Sequence, residues 1–480
     1  MDTELVLVGG ITEDGVAEAV RRMLRVPGTA VLHHDLTDVT SGVVRRRLRV
    51  SGGGLPGDVC GDRRGPGVGT VTTDHTEVLE LAHGCVSCTL REDVLPLVRA
   101  LAQRPGVGRI VLHLDPVLEP EQVCWAVLHV LVDGATVAGD VTMGGVITVL
   151  DPATWLADAV SEQDVADRGF AQLPDDERTV AQLAVAQAEF ADLIVYAGSG
   201  GARESRGAGV DGDGAQPWLR ARTDAVLARL TPLAPRIELA ALDPARPLAG
   251  LPDAARRGQP ESPHAVLLRG QPPLGEDRGV RLMMFTARRP FHPERLHEAM
   301  DLLLDGVVRT RGRIWLATRP EAVLWVESAG GGLEVGYVGD WLAAQDDAAW
   351  AAADPERRAA AALRWQPRYG DRVQELAVLT CGADPEEIEQ GLRGALLTDA
   401  EVILGEDEWR HYPDPFGWHH TDPCGEPQPA AIPTMPPLAG GPAPDRRRGT
   451  EDDPRRPDRR RPDPRRPGEP GPRRSREDDS

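Results

Sequence analysis

Two amino acids are missing from this 480-residue chain, which contains no lysine and no asparagine and takes all 54 of its basic residues from arginine. A loop that holds the β- and γ-phosphates of a nucleotide with a lysine is therefore excluded. A guanine-binding loop of the Asn-Lys-x-Asp type is excluded by the same absence. A GC-rich genome replaces lysine by arginine at surfaces, but a wide guanidinium does not replace a compact ammonium under a phosphate. Nucleotide hydrolysis by such a loop is not expected.

Long apolar runs, abundant cysteine and a secretory leader are lacking as well. No stretch reaches the ~18–20 uncharged apolar residues of a membrane helix, which excludes an integral membrane protein. The first residues, MDTELVLVGG, have no basic lead-in, which argues against a secretory signal. Six cysteines are too few for a disulfide scaffold. We therefore expect a protein of the reducing cytoplasm that has no membrane partner.

The charge is distributed unevenly. The formal net charge is −21, yet residues 445–480 carry 13 Arg against 10 acidic residues. The acidic remainder of the chain argues against a large nucleic-acid-binding face. The tail repeats Pro, Arg and Asp with almost no apolar residue, which predicts disorder. Its arginine doublets either contact RNA loosely or serve only to keep the tail solvated.

The order of predicted elements gives the domain organisation. Strands alternate with helices over residues 1–245, which predicts βαβ units and a mostly parallel, Rossmann-like sheet. A connector follows at 246–278, and residues 279–410 are predicted to form an α+β domain with an antiparallel sheet. An aromatic and histidine-rich strap and linker occupies 411–444. The fold class is therefore α/β, with a C-terminal α+β domain and a disordered tail. Three of the predicted helices cover residues 89–104, 121–132 and 342–363.

The turn GGITEDGV follows the first buried strand, where a phosphate-binding loop would lie. The candidate nucleotide-binding residues are Gly9, Gly10 and Gly15. The two positions after Gly15 are Val and Ala, although a nucleotide site needs a lysine and a hydroxyl there. Two carboxylates, Glu13 and Asp14, would repel a triphosphate. The sequence therefore predicts a degenerate nucleotide loop.

The segment HGCVSCTLRED is the sharpest local signal. Cys85 and Cys88 are three residues apart at the end of a predicted strand, a spacing that places two thiolates on one tetrahedral Zn²⁺. A third ligand would come from His83 or Cys60. Two alternatives remain open: a redox pair activated by a helix N-terminus, or two small residues in a tight turn.

Other chemistry-bearing residues end predicted strands. His33 and His34 follow one strand and His113 ends another, so the three would face a common pocket. Asp115 and Asp151 occupy strand ends, where α/β proteins place functional carboxylates. Each histidine is either a ligand or an ordinary hydrogen-bonded side chain.

Two further sets of residues have simpler interpretations. Residues 411–424 hold three His and a Cys, which fit either a second metal patch or a docking strap. Cys124 and Cys381 lie in apolar periodic segments and are predicted to be core residues.

Motifs spread over most of residues 1–420 resemble the CobW family of metal-linked P-loop GTPases. The similar segments are the strand–glycine loop–helix start, GCVSCTLREDVL, VITVLD, QAEFADLIVYA, RTRGRIWLATRP, LWVESAGG and DPFGW. The family has Cys-x-Cys-Cys before TLR, whereas here Cys85 and Cys88 match and Ser87 replaces the middle cysteine. Residues 196–200, Tyr-Ala-Gly-Ser-Gly, replace the guanine-specificity loop. The resemblance implies a P-loop-type domain with eroded nucleotide motifs, followed by a CobW C-terminal-type domain.

The resemblance also implies zinc as the cofactor and a function. An eroded P-loop together with Cys-x-x-Cys is similar to the actinobacterial members of this family that recruit a ribosome hibernation factor under zinc scarcity. This implies a zinc-responsive adaptor without GTP hydrolysis, in which Cys85 and Cys88 form the sensing pair. Two other functions remain: a zinc metallochaperone GTPase of the CobW family, which requires GTP binding, and a thiol redox protein.

The implied partners are the hibernation factor and the ribosome. On an otherwise acidic chain, the arginine-bearing strand at 45–49 and the tail at 445–480 are the expected contacts with ribosomal RNA.

Overall fold

The chain divides by its contacts into a unit of residues 1–419 and a second unit of residues 420–480. All described residues belong to the first unit, and the prediction for the tail at 445–480 lies outside them. Within the described residues, no helix combines the length and the apolar character needed to cross a bilayer. The computed structural model describes residues 3–52, 72–81, 85–170, 176–198 and 215–417.

The strands and helices alternate along the first half of the chain. The described strands are β1 (Thr3–Gly9), β2 (Thr29–Asp35), β3 (Val43–Ser51), β4 (Thr72–Glu80), β5 (Arg109–His113), β6 (Leu131–Val132), β7 (Ala135–Thr136), β8 (Val141–Leu150), β9 (Leu193–Tyr196), β10 (Arg236–Glu238), β11 (Val280–Ala287), β12 (Val307–Ile314), β13 (Ala322–Ala329), β14 (Gly332–Asp340) and β15 (Gln374–Cys381). The described α-helices are α1 (Glu13–Met23), α2 (Val86–Thr89), α3 (Leu95–Ala102), α4 (Pro120–His129), α5 (Trp155–Ala159), α6 (Val180–Glu189), α7 (Ala215–Leu230), α8 (Pro293–Ala299), α9 (Asp347–Ala352), α10 (Pro355–Arg364), α11 (Pro385–Ala395), α12 (Asp399–Leu404) and α13 (Glu406–Trp409).

The first sheet has the strand order β10-β9-β8-β1-β5-β2-β3-β4. Its strands pair in parallel except for β3, which is antiparallel to both of its neighbours. The central strand β1 is apolar from Leu5 to Val8 because both faces of the sheet are covered there. Leu5 and Leu7 enter the core on one face, while Val6 and Val8 enter the core on the other. The predicted mostly parallel α/β sheet is confirmed.

The second sheet is antiparallel, with the order β11-β15-β12-β13-β14. One face carries Phe285 and Val378 into a core that includes residues of α8 and α11. The other face places Leu282 and Leu379 in the same core as Leu227 of α7. The predicted C-terminal α+β architecture is therefore confirmed, and this sheet packs directly on the helices that close the first one.

The helix predicted over residues 342–363 is wrong as a single element. The chain forms α9 and α10 instead, with Ala353 and Asp354 in extended conformations between them. Pro355 causes the break, because its ring disfavours a helical conformation at the residue before it. The Asp354 side chain then accepts from the backbone N–H groups of Glu356 and Arg357 and caps the second helix.

The helix predicted over residues 121–132 ends early, at His129. The chain then makes the short hairpin of β6 and β7. Its two central residues, Asp133 and Gly134, both have positive φ, of 50° and 83°. An Asp-Gly pair with this backbone is typical of a tight two-residue hairpin turn. The turn ends the helix although the apolar periodicity continues to residue 132.

Candidate functional site

In the turn between β1 and α1, close packing accounts for the two glycines Gly10 and Gly15. Gly10 has φ of 143°, and a Cβ atom built on it would lie 2.0 Å from the carbonyl oxygen of Val149 in β8. A Cβ on Gly15 would lie 2.7 Å from the Cβ of Ala197. Both glycines are therefore required by close contact with neighbouring backbone and side chains, independently of any phosphate.

The helix begins inside the glycine pattern. Only three residues separate Gly9 from Glu13, the first residue of α1. The first helical turn presents Glu13 and Asp14 to solvent, and Val16 is 2% exposed in the core below. A phosphate approaching this helix N-terminus would meet two carboxylates in place of a lysine.

The segment that replaces the guanine-specificity loop begins with a residue that packs inside the protein. Tyr196 is buried, and its hydroxyl donates to Asp224 Oδ1 of α7 at 2.5 Å. Burial, followed by the Asp224 carboxylate, raises the pKa of Tyr196 well above its usual range. The residues that follow Gly198, up to residue 214, lie outside the described part of the chain.

The two candidate zinc ligands lie at the start of one helix. Cys85 is the N-cap of α2, and its Sγ accepts from the backbone N–H of Cys88 at 3.3 Å. Both residues are half-buried. A helix N-terminus favours negative charge nearby, which suits the thiolates that zinc requires. The structure thus brings the pair together at an accessible helix end.

The remaining ligands of this site are not defined by the described residues. His83 and Cys60, the two candidate third ligands, both lie outside them. Among the described residues, no group of three or more His, Cys, Asp or Glu side chains is placed to hold a metal ion. Zinc binding by Cys85 and Cys88 therefore stays a prediction, and a complete site needs at least one further ligand.

The helix predicted over residues 89–104 starts earlier, at Val86, and is irregular. Its second turn, Leu90–Val94, is a π-helix between α2 and α3. π-Helical turns of this kind are frequent at functional sites. Asp93 lies within this π-helical turn.

Asp93 anchors the cysteine-bearing helix to the first sheet. His34 Nε2 of β2 donates to Asp93 Oδ2 at 2.6 Å, and His34 is 6% exposed. Arg46 of β3 donates to the other Asp93 oxygen and also to Glu77 of β4. Charge-assisted contacts of this type are stronger than neutral ones. Asp93 therefore links the cysteine-bearing helix directly to β2 and β3, and through Arg46 also to β4.

An apolar cavity lies under this helix. Val86 and Leu90 line it from the helix side, and Leu32, His34 and His113 line it from the sheet. The helix thus covers a small hydrophobic space beside the cysteine pair.

Of the three histidines predicted to face a common pocket, His33 and His113 lie together, whereas His34, the next residue of β2, contacts Asp93 instead. His113 Nδ1 is buried and has no hydrogen-bond partner among the described residues. The ring of His33 stacks on that of His113 at 4.3 Å between centroids, and His33 Nδ1 lies 2.9 Å from the His113 carbonyl oxygen. Burial, with neighbouring His33 and Arg49, lowers the pKa of His113 to about 3. His113 is therefore a neutral imidazole at physiological pH.

The two aspartates at strand ends, Asp115 and Asp151, accept hydrogen bonds from backbone N–H groups. Asp115 accepts from the backbone N–H groups of Leu36 and Val117, at 2.9 and 3.1 Å. Burial raises the pKa of the Asp115 carboxyl. Asp151 accepts from the backbone N–H of Ala153 at 2.9 Å. Both carboxylates hold turns at the sheet edge.

The two predicted core cysteines differ in burial. Cys124 is fully buried, and burial raises the pKa of its thiol. Cys381 is only half-buried, at the end of β15. Of the segment 411–424, only residues 411–417 are described, so its interpretation as a metal patch or strap stays open.

Sequence reasoning missed the anchor formed by His34, Arg46 and Asp93. The sequence does carry a signal for this anchor, because Asp93 follows Cys85 by eight residues and is the only one of the three on the cysteine-bearing helix. On β3, Arg46 faces the side opposite to Arg45, Arg47 and Arg49.

Two family models match the chain. The CobW/HypB/UreG nucleotide-binding domain matches residues 68–199, and the cobalamin synthesis protein cobW C-terminal domain matches residues 280–396. The first match begins downstream of the β1–α1 turn, so the segment with Gly10 and Gly15 lies outside it.

Known relatives cover most of the chain. The zinc chaperone Rv0106 of Mycobacterium tuberculosis is 44% identical over 437 residues, which are 89% of this chain and 96% of the relative. The zinc-regulated GTPase metalloprotein activator 1 of Dictyostelium discoideum is 27% identical over 344 residues, 71% of this chain and 70% of the relative.

One solved structure aligns at low similarity. The Zn(II)-bound YjiA GTPase from E. coli covers 83% of this chain and 100% of its own, with 13% identity and a TM-score of 0.33, too low to carry an argument about this site.

The fold and the site define an α/β protein of P-loop type whose nucleotide turn is filled by its own packing. The chain belongs to the CobW/HypB/UreG family and carries the CobW C-terminal domain.

Proposed function

We propose that this protein is a zinc metallochaperone that carries zinc on Cys85 and Cys88 in the reducing cytoplasm. The observation that carries the proposal is the pair of cysteines at one helix start, in a chain 44% identical to a protein named as a zinc chaperone. Zinc is borderline-soft and binds thiolates tightly, and a site with two protein thiolates leaves positions open for transfer to a client.

The proposal includes no GTP hydrolysis. The chain has no lysine, and Glu13 and Asp14 occupy the start of α1. Loading and release of zinc would instead depend on the third ligand and on contact with the client. Metal binding couples to local folding, so the start of the helix would tighten when zinc is bound.

Competition for zinc against a chromophoric chelator tests this function. We expect the zinc-stripped protein to take up zinc tightly, and Cys85→Ser to weaken binding by roughly 100-fold or more, since even outer-shell changes cost 10–100-fold. Cys381→Ser is the matched control, because Cys381 is also half-buried but lies on β15. Equal zinc affinity in all three proteins would refute the assignment. A readily formed Cys85–Cys88 disulfide with a potential in the thioredoxin range would support the redox alternative instead.

A second candidate is the zinc-responsive adaptor that recruits a ribosome hibernation factor. The observation that favours it is the filled β1–α1 turn, because an adaptor needs no nucleotide turnover. Its partners would be the hibernation factor and the ribosome, with RNA contacts from the arginine-rich tail. Ribosome sedimentation with and without zinc separates the two candidates: zinc-dependent co-sedimentation with the hibernation factor supports the adaptor, and zinc transfer to a client without ribosome binding supports the chaperone.

A further inference from the structure

A cleft lies between the second sheet, the ends of α6 and α7, and the connector that joins the two halves of the chain. Its apolar walls include Leu230 of α7, Leu267 of the connector and Leu379 of β15. Among the described residues, the charged side chains that line the cleft are mostly positive: five arginines and one carboxylate, Glu189. The arginines are Arg229, Arg256, Arg269, Arg309 and Arg311.

The register of the second sheet places two of these arginines on one face. Arg309 pairs with Leu379, and Arg311 pairs with Ala377, across the β12–β15 ladder. Side chains two residues apart on a strand share a face. All four residues line the cleft, so β12 presents its arginines to the cleft between apolar neighbours.

Carboxylates neutralise four of the five arginines. Glu189 accepts from Arg311 at 2.8 Å and lies 2.8 Å from Arg309. Glu261 lies 3.0 Å from Arg269 and 3.4 Å from Arg256. Each of these two glutamates is therefore shared between two guanidinium groups.

Two further glutamates lie beside the cleft. Glu327 accepts from Arg309 at 2.7 Å. Glu121 interacts electrostatically with Arg256 and Arg311, and burial raises the pKa of its carboxyl. Among the described residues, none of these four glutamates forms an ion pair with Arg229.

Arg229 is the exception. It is 4% exposed, and its described hydrogen bonds go to the carbonyl oxygens of Ala225 and Gly275. Asp277 attracts Arg229 electrostatically, but the ion pair of Asp277 is with Arg278. A buried guanidinium without a carboxylate is costly, because a charge taken out of water needs a counter-charge.

Buried N–H groups without hydrogen-bond partners also indicate that the described part of the cleft lacks an acceptor group for them. The Nε–H groups of Arg229, Arg309 and Arg311 are buried and have no hydrogen-bond partner among the described residues. Buried donors are normally paired, and exceptions call for an explanation such as an ion or ligand. Burial also lowers the pKa of Arg256, and the attraction of Glu261 and Glu189 does not fully offset this effect.

We propose that this cleft binds a small organic anion through a phosphate or carboxylate group. The guanidinium fork matches both groups and binds them by paired, charge-assisted hydrogen bonds. Arg229 and Arg256 would hold the anionic group, and Leu230, Leu267 and Leu379 would contact the body of the molecule. Since the walls come from α7, the connector and the second sheet, the bound anion would join these three parts. This site is separate from the cysteine pair and does not depend on the proposed zinc function.

Calorimetric titration of the full chain with inorganic phosphate and, separately, with succinate tests the proposal. Both titrations are run in chloride at constant ionic strength, so that general screening is the same throughout. We expect at least one probe to bind the wild-type protein. Arg229→Gln should weaken that binding by about tenfold or more, through the loss of a charge-assisted contact.

Two further variants keep the test decisive. Arg393→Gln is the matched control, because Arg393 is exposed on α11 in a pair with Glu389, and its anion affinity should equal that of the wild type. If Arg229→Gln does not fold, Arg256→Gln replaces it, since Arg256 is the other guanidinium that would hold the anionic group. Absence of binding by both probes, or equal affinity in the arginine variants and the control, would overturn the proposal and leave the cluster as an ion-pair network between the two halves. Preference for phosphate over succinate, or the reverse, identifies the anionic group.

Discussion

His34 Nε2 lies 2.6 Å from Asp93 Oδ2, and this contact ties the helix that begins at the cysteine pair to the first sheet. Both side chains are largely buried, at 6% and 14% exposure. Arg46 contacts the same carboxylate from β3. The cysteine-bearing helix is thus held to the sheet by one buried acidic residue in addition to its apolar contacts.

The first prediction concerns this anchor. His34→Ala should leave Asp93 with Arg46 alone and destabilise the protein by about 1–3 kcal/mol, the cost of a broken buried polar contact. The looser helix start should lower zinc affinity by roughly tenfold, as for other residues that orient metal ligands. Chelator competition and thermal unfolding measure the two effects. The exposed His411→Ala is the control, and unchanged zinc affinity in His34→Ala would show that the anchor serves stability only.

The second prediction concerns Gly15. Gly15→Ala places a Cβ 2.7 Å from Ala197, and such overpacking should cost about 1–3 kcal/mol. Gly139→Ala is the matched control, because a Cβ there meets nothing within 4 Å. Chemical denaturation of both variants checks the difference. If Gly15→Ala were as stable as Gly139→Ala, the packing explanation of this glycine would fail.

The third prediction concerns restoration of the nucleotide loop. Val16→Lys supplies the missing lysine, but Val16 is 2% exposed among apolar residues. We expect a loss of several kcal/mol from a buried ammonium and no gain of GTP binding by calorimetry. Ala17→Ser, at the next and partly exposed position, should be close to neutral. Micromolar GTP binding by the Val16 variant would mean that the turn still forms a phosphate site.

The fourth prediction is a pH dependence from His113. Its pKa in the folded protein is about 3, below the unfolded value near 6.5, so the unfolded chain binds the additional proton between these values. The contribution of neutral His113 to stability is complete above pH 6.5 and is lost as the pH falls toward 3, by roughly 5 kcal/mol over this range.

Unfolding free energies measured from pH 4 to pH 7 test this sign. His113→Gln should flatten the rise of stability with pH, whereas the exposed His297→Gln should leave it unchanged. A His113→Gln curve parallel to that of the wild type would contradict the buried, neutral state of this imidazole.

The architecture of both sheets could be predicted from the sequence because the order of strands and helices is visible in local patterns. The alternation of apolar strands with helices between β1 and β9 predicts a parallel sheet, and the run of strands after residue 279 predicts an antiparallel one. The missed breaks were also local: Pro355 ends a helix pattern, and Asp133–Gly134 makes a hairpin.

The site was less accessible to sequence reasoning because its contacts are distant along the chain. Gly15 is explained by Ala197, and Asp93 by His34, and no periodicity links either pair. The alternating arginines of β12 were visible in RTRGRIWLATRP, but the sequence does not show that Arg229 and the connector face them.

We expect this family member to bind zinc without a nucleotide. The decisive experiment is calorimetric titration of the zinc-stripped, full-length protein with zinc, in the absence and then in the presence of GTP and Mg²⁺. Zinc should bind tightly and with the same affinity in both titrations, and GTP alone should give no heat. Zinc binding that requires GTP, or GTP binding at micromolar affinity, would show that the protein depends on a nucleotide after all.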